Sequence, residues 1–479
     1  MKKDKIKIKI KDFFSKFIGG IELDDNEELF SSGLVNSLFA MQLVLFIEKE
    51  LEIKVKNEDL DLNNFQTINA ITDFVFKKKK HLKHLQCEVI MNFELNKKQK
   101  QKQQEFKAFS EKYIIPYADK SDEDELFPKK IIDKLAEKGY LGAVLAKEYG
   151  GIDLSPITFG LLCHELGRGS LSLISLLAVH GMVTEAIQKW GSQDQQKFWL
   201  PQLAKGEKLG AFGLTEPNIG SDPKSIETTA ILDEDCYILN GKKKWTSCGQ
   251  IADLFLIIAQ VEGKPTAFLL EKNTLGLEIE PIKGMLGFRS AMLAQLHLNN
   301  CKIPKKNLIG RVGFGFSHIA GTALDHGRYC IAWGCIGLGQ ACLDACLKYT
   351  STRKQFGDYL RKHQLIQELI ANMITEVNAA KYLCYHAGYL KETGDPAQIM
   401  ETSLAKYYAS RMALRVSNDA VQIHGANGCS NEYPVQRYFR DAKITEIIEG
   451  SNQIQQIIIS QHGYQQYLFT ERFKNKIKR

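Results

Sequence analysis

Residues 421–455 read VQIHGANGCSNEYPVQRYFRDAKITEIIEGSNQIQ, and Glu449 is the residue on which this stretch turns. It precedes a Gly-Ser pair, after which polar and apolar residues resume helical spacing. A carboxylate beside a flexible loop acts as a general base when apolar surroundings raise its pKa. The residues alone leave the alternative open, because a glutamate before glycine is also an ordinary exposed helix end. Upstream, Gln422, Gly425 and Gly428 lie in a turn where small residues permit close backbone approach.

Outward from this stretch, residues 314–470 carry long helical patterns, and residues 96–209 carry shorter ones such as PKKIIDKLAEKGYLG. Between them, residues 211–300 hold short alternating runs such as YILNGKKKWTSC, DLFLIIAQVEG and PTAFLLEK. Gly, Asn and Lys punctuate these runs, as antiparallel strands require. The order is helix, sheet, helix. Within it, Thr215, Ser221, Trp245, Thr246 and Ser247 offer hydroxyls and an aromatic face, while Arg353 and Gln355 offer a charged and an amide hydrogen-bond donor. Trp245 also reads as a core residue, and the glycines as plain turns.

Five blocks in order resemble the successive motifs of the acyl-CoA dehydrogenase family: AFGLTEPNIGSD (211–222), KKWTSCGQIAD (243–253), GFRSAMLAQLHLNNCKIPKKNLIG (287–310), STRKQFGDYLRKHQ (351–364) and the stretch at 421–455. With KLAEKGYLGAVLAKEYGG (134–151) they cover nearly everything after residue 95. The resemblance implies a helical domain (96–209), a middle β-domain (210–312) and a C-terminal four-helix bundle (313–479), with FAD between the latter two. It implies that Phe212, Leu214, Thr215, Gly220, Ser221, Trp245, Thr246, Ser247, Arg353, Gln355, Phe356, Gln364, Gln422, Gly425, Gly428, Ser451 and Gln453 hold the flavin. Some of these would reach the flavin of a neighbouring subunit, so a homodimer or homotetramer is expected. Most members place the base where Glu449 stands. A minority place it on an earlier helix, where this chain has Gly327 in LDHGRYC, and glycine cannot take a proton. That segment is instead similar to short-chain members, which makes Asp325, Gly327 and Arg328, with Ser221 and Gly450, the expected substrate-side residues. Arg328 also reads as a structural ion-pair partner. The implied reaction is removal of an α-proton by Glu449 with transfer of a β-hydride to flavin N5, giving a 2,3-enoyl thioester.

The front of the chain differs in character. LFSSGLVNSLFAMQLVLFIEKELEIKV (29–55) places Ser37 after a glycine-bearing loop and directly before an apolar helix, where a serine is also well placed as an N-cap. Phe13, Phe14, Phe17 and Ile18 supply one amphipathic stretch; Ile68, Ile71, Phe74 and Val75 supply another. Gly33 to Leu38 and the downstream NNFQTINAITDFV (63–75) are similar to acyl carrier proteins. The resemblance implies 4'-phosphopantetheine on Ser37, attached by a phosphopantetheinyl transferase; Asn36 departs from the family's usual aspartate. The fold expected for the whole is multidomain α+β, a small four-helix carrier bundle (1–80) and a linker (81–95) followed by the acyl-CoA dehydrogenase fold.

Charge agrees with a carrier. From Asp12 to Asp73 there are thirteen acidic residues against four lysines, within a chain of 479 residues and net charge +7. Carrier proteins commonly turn such negative faces to basic patches on partners. The lysine clusters at 1–11 and 77–83 read as a solvated tail and a linker. With no interleaved aromatics they give no reason to expect nucleic acid. Eleven scattered cysteines without a CxxC pair suggest reduced thiols in a cytoplasmic protein, with no metal site. No apolar run reads as long enough to span a bilayer. Three functions compete: desaturation of a carrier-bound acyl group in polyketide or other specialised metabolism, oxidation of a carrier-bound hydroxyacyl or aminoacyl unit, and an idle shell that docks its carrier. The first two need an electron-transfer flavoprotein or dioxygen as acceptor, and other assembly-line enzymes are possible partners.

Overall fold

The computed structural model describes residues 3–17, 24–29, 37–51, 53, 55, 59, 62–79 and 94–477. The linker expected at 81–95 therefore lies almost wholly outside the described residues.

The front module is a helical bundle of α1 (Lys3–Phe17), α2 (Ser37–Glu50), α3 (Leu62–Phe65) and α4 (Ile68–Lys79). The expectation of a solvated basic tail fails here. Ile6, Ile10, Phe13 and Phe14 recur at helical spacing and are buried, so the lysines between them occupy the outer face of a helix. Lys7 and Lys11 pair with Asp25, and Lys78 pairs with Asp59 at 2.6 Å, so α4 also runs into the segment read as linker.

The second helical unit comprises α5 (Lys97–Tyr113), α6 (Ile115–Asp124), α7 (Lys129–Glu137), α8 (Pro156–Gly169), α9 (Leu171–Trp190) and α10 (Gln193–Ala204). Asn96 and Ser192 close capping boxes at the starts of α5 and α10. The helix α9 is predominantly apolar and almost wholly buried. Its length and hydropathy, and those of Gly315–Thr352, suffice to cross a membrane, contrary to the expectation that no run is long enough. Both are core helices, 89% and 78% buried in the fold.

The middle domain is a sheet in the order β6-β7-β3-β2-β4-β5-β8: β2 (Thr229–Asp233), β3 (Cys236–Thr246), β4 (Leu254–Val261), β5 (Lys264–Glu271), β6 (Leu277–Pro281), β7 (Ala294–Pro304) and β8 (Leu308–Ile309). Most pairs are antiparallel as expected, but β1 (Gly210–Gly213) and β2 each pair with β4 in parallel. A two-stranded ribbon of β9 (Lys354–Gln355) and β10 (Asp358–Tyr359) stands apart.

A π-helical segment, Gly315–Ala320, leads into α11 (Gly321–Thr352). Then follow α12 (Gln364–Thr393), α13 (Gln398–His424), α14 (Val435–Thr445) and α15 (Asn452–Ile477). The close approach of α8 to α11 depends on glycine, because a β-carbon at Gly337 would lie 2.1 Å from the His164 carbonyl oxygen. Three ion pairs tie the units together: Arg437–Asp119 at 2.8 Å, Arg440–Asp122 at 2.5 Å and Arg289–Glu125 at 2.8 Å. The carrier bundle, helical domain, β-domain and C-terminal bundle together give the expected fold class.

Candidate active site

Glu449 sits where the chain turns between α14 and α15, at φ 57°, followed by Gly450 at φ 82°. Two successive left-handed residues reverse the chain sharply, a conformation that glycine adopts readily and glutamate does not. Other residues hold the turn. Arg328 Nε donates to the Glu449 carbonyl at 3.1 Å, and Gln455 Nε2 donates to it at 3.3 Å. Lys406, wholly buried on α13, donates to the Gly450 carbonyl at 3.0 Å and to Asn452 Oδ1 at 3.2 Å. Among the described residues no backbone oxygen accepts from the Glu449 amide.

The side chain keeps some accessible surface, yet its Oε2 is fully enclosed and has no hydrogen-bond partner. Burial pushes its pKa up to about 7, with Arg328, Lys406 and His326 pulling in the opposite direction. An enclosed carboxylate without a partner and with a pKa near neutrality has the chemistry a general base requires.

That enclosure is shaped by α11. A β-carbon at Gly327 would lie 2.5 Å from Glu449 Oε2 and 2.1 Å from the terminal methyl of Met182 on α9. The glycine therefore leaves room for the carboxylate, and the two positions where a base was weighed in the sequence face one another. Asp325 pairs with Lys391 of α12, while its Oδ1 is enclosed and unpartnered. Between these two, His326 meets Glu185 at 3.2 Å. Burial opposes a charged His326 ring, and Cys330 and Glu185 favour it, raising its pKa. Burial also keeps Cys330 a thiol, so Glu185 supplies the compensating charge.

The residues expected at the flavin fall into two groups. Phe212, Leu214 and Thr215 are half-buried along and after β1, and the Lys244 amide donates to the Thr215 carbonyl at 2.8 Å, joining this strand to the end of β3. There Trp245, at φ 62°, is 46% exposed, Thr246 is buried with an unpartnered Oγ1, and Ser247 is half-buried. A half-exposed indole beside an enclosed, unused hydroxyl fits the apolar rings and polar edge of a flavin, so the reading of Trp245 as core fails. Gly220 and Ser221 lie on an exposed turn. Beneath them Lys243 and Glu216 form a fully buried ion pair at 2.6 Å, with Lys243 also donating to the Leu214 carbonyl. Glu216 further accepts from the Glu227 and Thr228 amides, which pins the loop after β1.

The second group is exposed. Arg353 ends α11, Gln355 and Phe356 stand on the ribbon with Phe356 99% exposed, and Gln364 begins α12. Gln422 and Gly425 are exposed at the end of α13, with Gly428 buried behind them. Tyr349 unites these segments, donating to the His424 carbonyl and accepting from Asn427. Among the described residues no hydrogen bond joins this group to Thr215, Thr246 or Glu449. Ser451 is half-buried beside the turn, and Gln453 is exposed. Ser37 is the first residue of α2; its side chain and the loop at 30–36 lie outside the described residues.

Sequence reasoning missed Lys406, Lys391, Gln455, Met182 and the Lys243–Glu216 pair. A lysine within SLAKYYASR carries no sign that helix packing will bury it, although Lys243 and Glu216 do lie inside blocks already singled out.

Comparison with known proteins follows the same division. Residues 96–207, 211–301 and 313–464 match the N-terminal, middle and C-terminal domains of acyl-CoA dehydrogenase, and residues 9–75 match the phosphopantetheine attachment site. The chain is 37% identical to the acryloyl-CoA reductase (NADH) of Anaerotignum propionicum, over 77% of this chain and 95% of that one. It is 36% identical to the short-chain-specific acyl-CoA dehydrogenase of Clostridium acetobutylicum, over 77% and 99%. Among solved structures it is similar to butyryl-CoA dehydrogenase from Megasphaera elsdenii, with 34% identity, TM-score 0.75 and coverage of 77% and 99%. It is also similar to the prolyl acyl carrier protein oxidase AnaB, with 30% identity, TM-score 0.74 and coverage of 77% and 99%. The chain therefore belongs to the acyl-CoA dehydrogenase family, FAD-dependent oxidoreductases acting on CH–CH groups of acyl thioesters, and bears a phosphopantetheine-attachment domain in front of the dehydrogenase.

Proposed function

We propose that the chain oxidises an acyl group held as a thioester on a phosphopantetheine arm at Ser37, in the assembly of a specialised metabolite. The observation that carries the reading is the enclosed, unpartnered Glu449 Oε2, near-neutral in pKa, in a chain that also bears a carrier module. The thioester carbonyl accepts from the Glu449 amide, which has no other backbone acceptor among the described residues. Polarising the carbonyl acidifies the α-carbon. Glu449 takes the α-proton, while Arg328, Gln455 and Lys406 keep its backbone in place. Bound FAD supplies the acceptor for the β-hydride. Trp245, Thr246, Thr215 and Ser247 hold it from this chain, and the exposed group at Arg353, Gln355, Phe356, Gln422 and Gly425 suits contact with a second subunit's flavin. Electrons leave to an electron-transfer flavoprotein. A chain 36% identical to this one occurs in solved-structure work on the electron-transferring flavoprotein of Acidaminococcus fermentans.

A second reading keeps the base and flavin but takes a carrier-bound aminoacyl or hydroxyacyl substrate. The similarity to AnaB favours it, as does that to FkbI, described as serving biosynthesis of a methoxymalonyl extender unit, with 28% identity and TM-score 0.70. Intact-protein mass spectrometry after loading the arm separates the outcomes. Loss of two hydrogens from a saturated acyl group supports desaturation, whereas loss of hydrogens only when the arm carries a hydroxyacyl or aminoacyl group supports the second reading. Reduction of an enoyl-loaded arm without any forward reaction would reverse the assigned direction. In Ser37→Ala the pantetheine mass increment should vanish while the flavin spectrum stays intact; persistent loading would move the attachment site.

A further inference from the structure

The carrier does not merely precede the dehydrogenase in sequence; it rests on it. Helix α2, which begins at Ser37, packs against the π-helical segment Gly315–Ala320 and against α11, which continues directly from that segment. Buried residues of the carrier, among them Leu43, Phe46 and Ile47, form one continuous apolar cluster with Phe314, Ile319 and Ala320. Helix α1 packs against α15, whose first residue follows Glu449 by three positions. A polar contact completes the junction: Lys49, near the end of α2, pairs with Asp395 at 2.8 Å.

Asp395 is itself fixed between α12 and α13. Its carboxylate accepts from the Ala397 amide at 2.9 Å, and its own amide donates to the Leu390 carbonyl. One turn earlier on α12 lies Lys391, the partner of Asp325. Asp325 and Arg328 in turn lie within about two turns of the junction between the π-helical segment and α11. The elements that support the carrier are thus those that carry the substrate-side residues.

The polarity of this contact matters. The module is acidic, and a carrier read by general electrostatics presents carboxylates to a basic partner. Here the carrier gives the cation and the dehydrogenase the anion. We propose that α2, the Gly315–Ala320 segment and the Lys49–Asp395 pair form an intramolecular docking interface through which the arm on Ser37 serves the acyl site of its own chain. This rests on the carrier-bound substrate reading above. Ser37 stands about 18 Å along α2 from Lys49, so the anchor fixes the far end of the helix and leaves the arm-bearing end for delivery. The tether favours the same route. Fourteen residues, 80–93, link the described parts and span at most about 50 Å, which keeps the carrier at an effective concentration on the order of millimolar. With that local excess, a weak directional contact is enough to choose the docked orientation.

The test uses the full flavin-loaded chain, with a butyryl-pantetheine arm installed from butyryl-CoA by a phosphopantetheinyl transferase. Single-turnover flavin reduction is followed together with loss of two hydrogens from the arm. Because the pair is only partly buried and the tether persists, Lys49→Glu should slow oxidation of the arm-borne group about fivefold, and Lys49→Arg should preserve it. The rate with free butyryl-CoA should not change in either variant. An unchanged arm rate in Lys49→Glu overturns the docking interface, and so does an equal loss with butyryl-CoA, which would make Lys49 a folding residue. A mixture of Ser37→Ala chains and arm-loaded Glu449→Gln chains should convert the arm far more slowly than the intact chain; conversion at the wild-type rate overturns delivery within one chain. If the wild-type chain oxidises butyryl-CoA but never its own arm, the carrier-bound substrate reading fails instead.

Discussion

Enclosure of Glu449 has two opposite consequences that one substitution exposes together. With a pKa of about 7, the ionised fraction of the base falls from about nine-tenths at pH 8 to about one-hundredth at pH 5. Because kcat/KM for a free acyl-CoA reports the unliganded enzyme, it should drop about ninetyfold over that interval. Glu449→Gln should lack turnover at every pH while keeping the flavin bound, since an amide cannot accept the α-proton. Stability should move the other way. The carboxyl's pKa is raised by folding, so its contribution is fully present below about 4.5 and lost as pH rises through about 7. Above neutrality the wild type carries the cost of an enclosed charge, up to about 3 kcal/mol for a shift from 4.5 to about 7. Thermal unfolding should therefore find Glu449→Gln more stable than wild type at pH 8 and equal to it near pH 4. An acid limb in kcat/KM near 4.5, or a variant less stable at pH 8, would refute the claim that enclosure sets the chemistry of this residue.

Arg328→Gln removes a charged hydrogen bond to the Glu449 carbonyl; a loss of 1.5–3 kcal/mol predicts a fall of about tenfold to a hundredfold in kcat/KM, measured by flavin reduction with butyryl-CoA. Gly327→Ala places a methyl 2.5 Å from Glu449 Oε2 and 2.1 Å from Met182, so a destabilisation of about 1–3 kcal/mol and loss of activity are expected. In urea unfolding, adding Met182→Ala should recover part of that stability, while activity stays low because the carboxylate remains displaced. Lys243→Met leaves Glu216 buried without its partner and should cost about 3–5 kcal/mol in the same assay. The double change Lys243→Met with Glu216→Gln should cost less, because no unpaired charge remains.

Much of this molecule is legible in its residues. The ordered blocks from 211 to 455 carry the helix-sheet-helix order and single out Glu449, because turn chemistry and periodicity are local properties. The first helix is not legible in the same way. KIKIKIK alternates as a strand does, and only burial of Ile6 and Ile10 at a spacing of four makes it helical. Lys406 and Lys391 give no local sign either, because their partners stand 44 and 66 residues away. The exposed group around Phe356 shows the converse: the motif is easy to read, but one chain does not bring it to the enclosed carboxylate.

The left-handed backbone at Glu449 bears on how such a catalyst changes over evolutionary time. A side chain held at φ 57° occupies a place that suits glycine, while facing it a glycine occupies a helical backbone that suits most residues but lies where a β-carbon would meet Met182. Exchanging the two would relax the first backbone and present a carboxylate from the facing helix, with Met182 the side chain that must give way. With Glu449 as the proposed proton acceptor, a lineage could move the carboxylate between loop and helix at the cost of repacking one methionine.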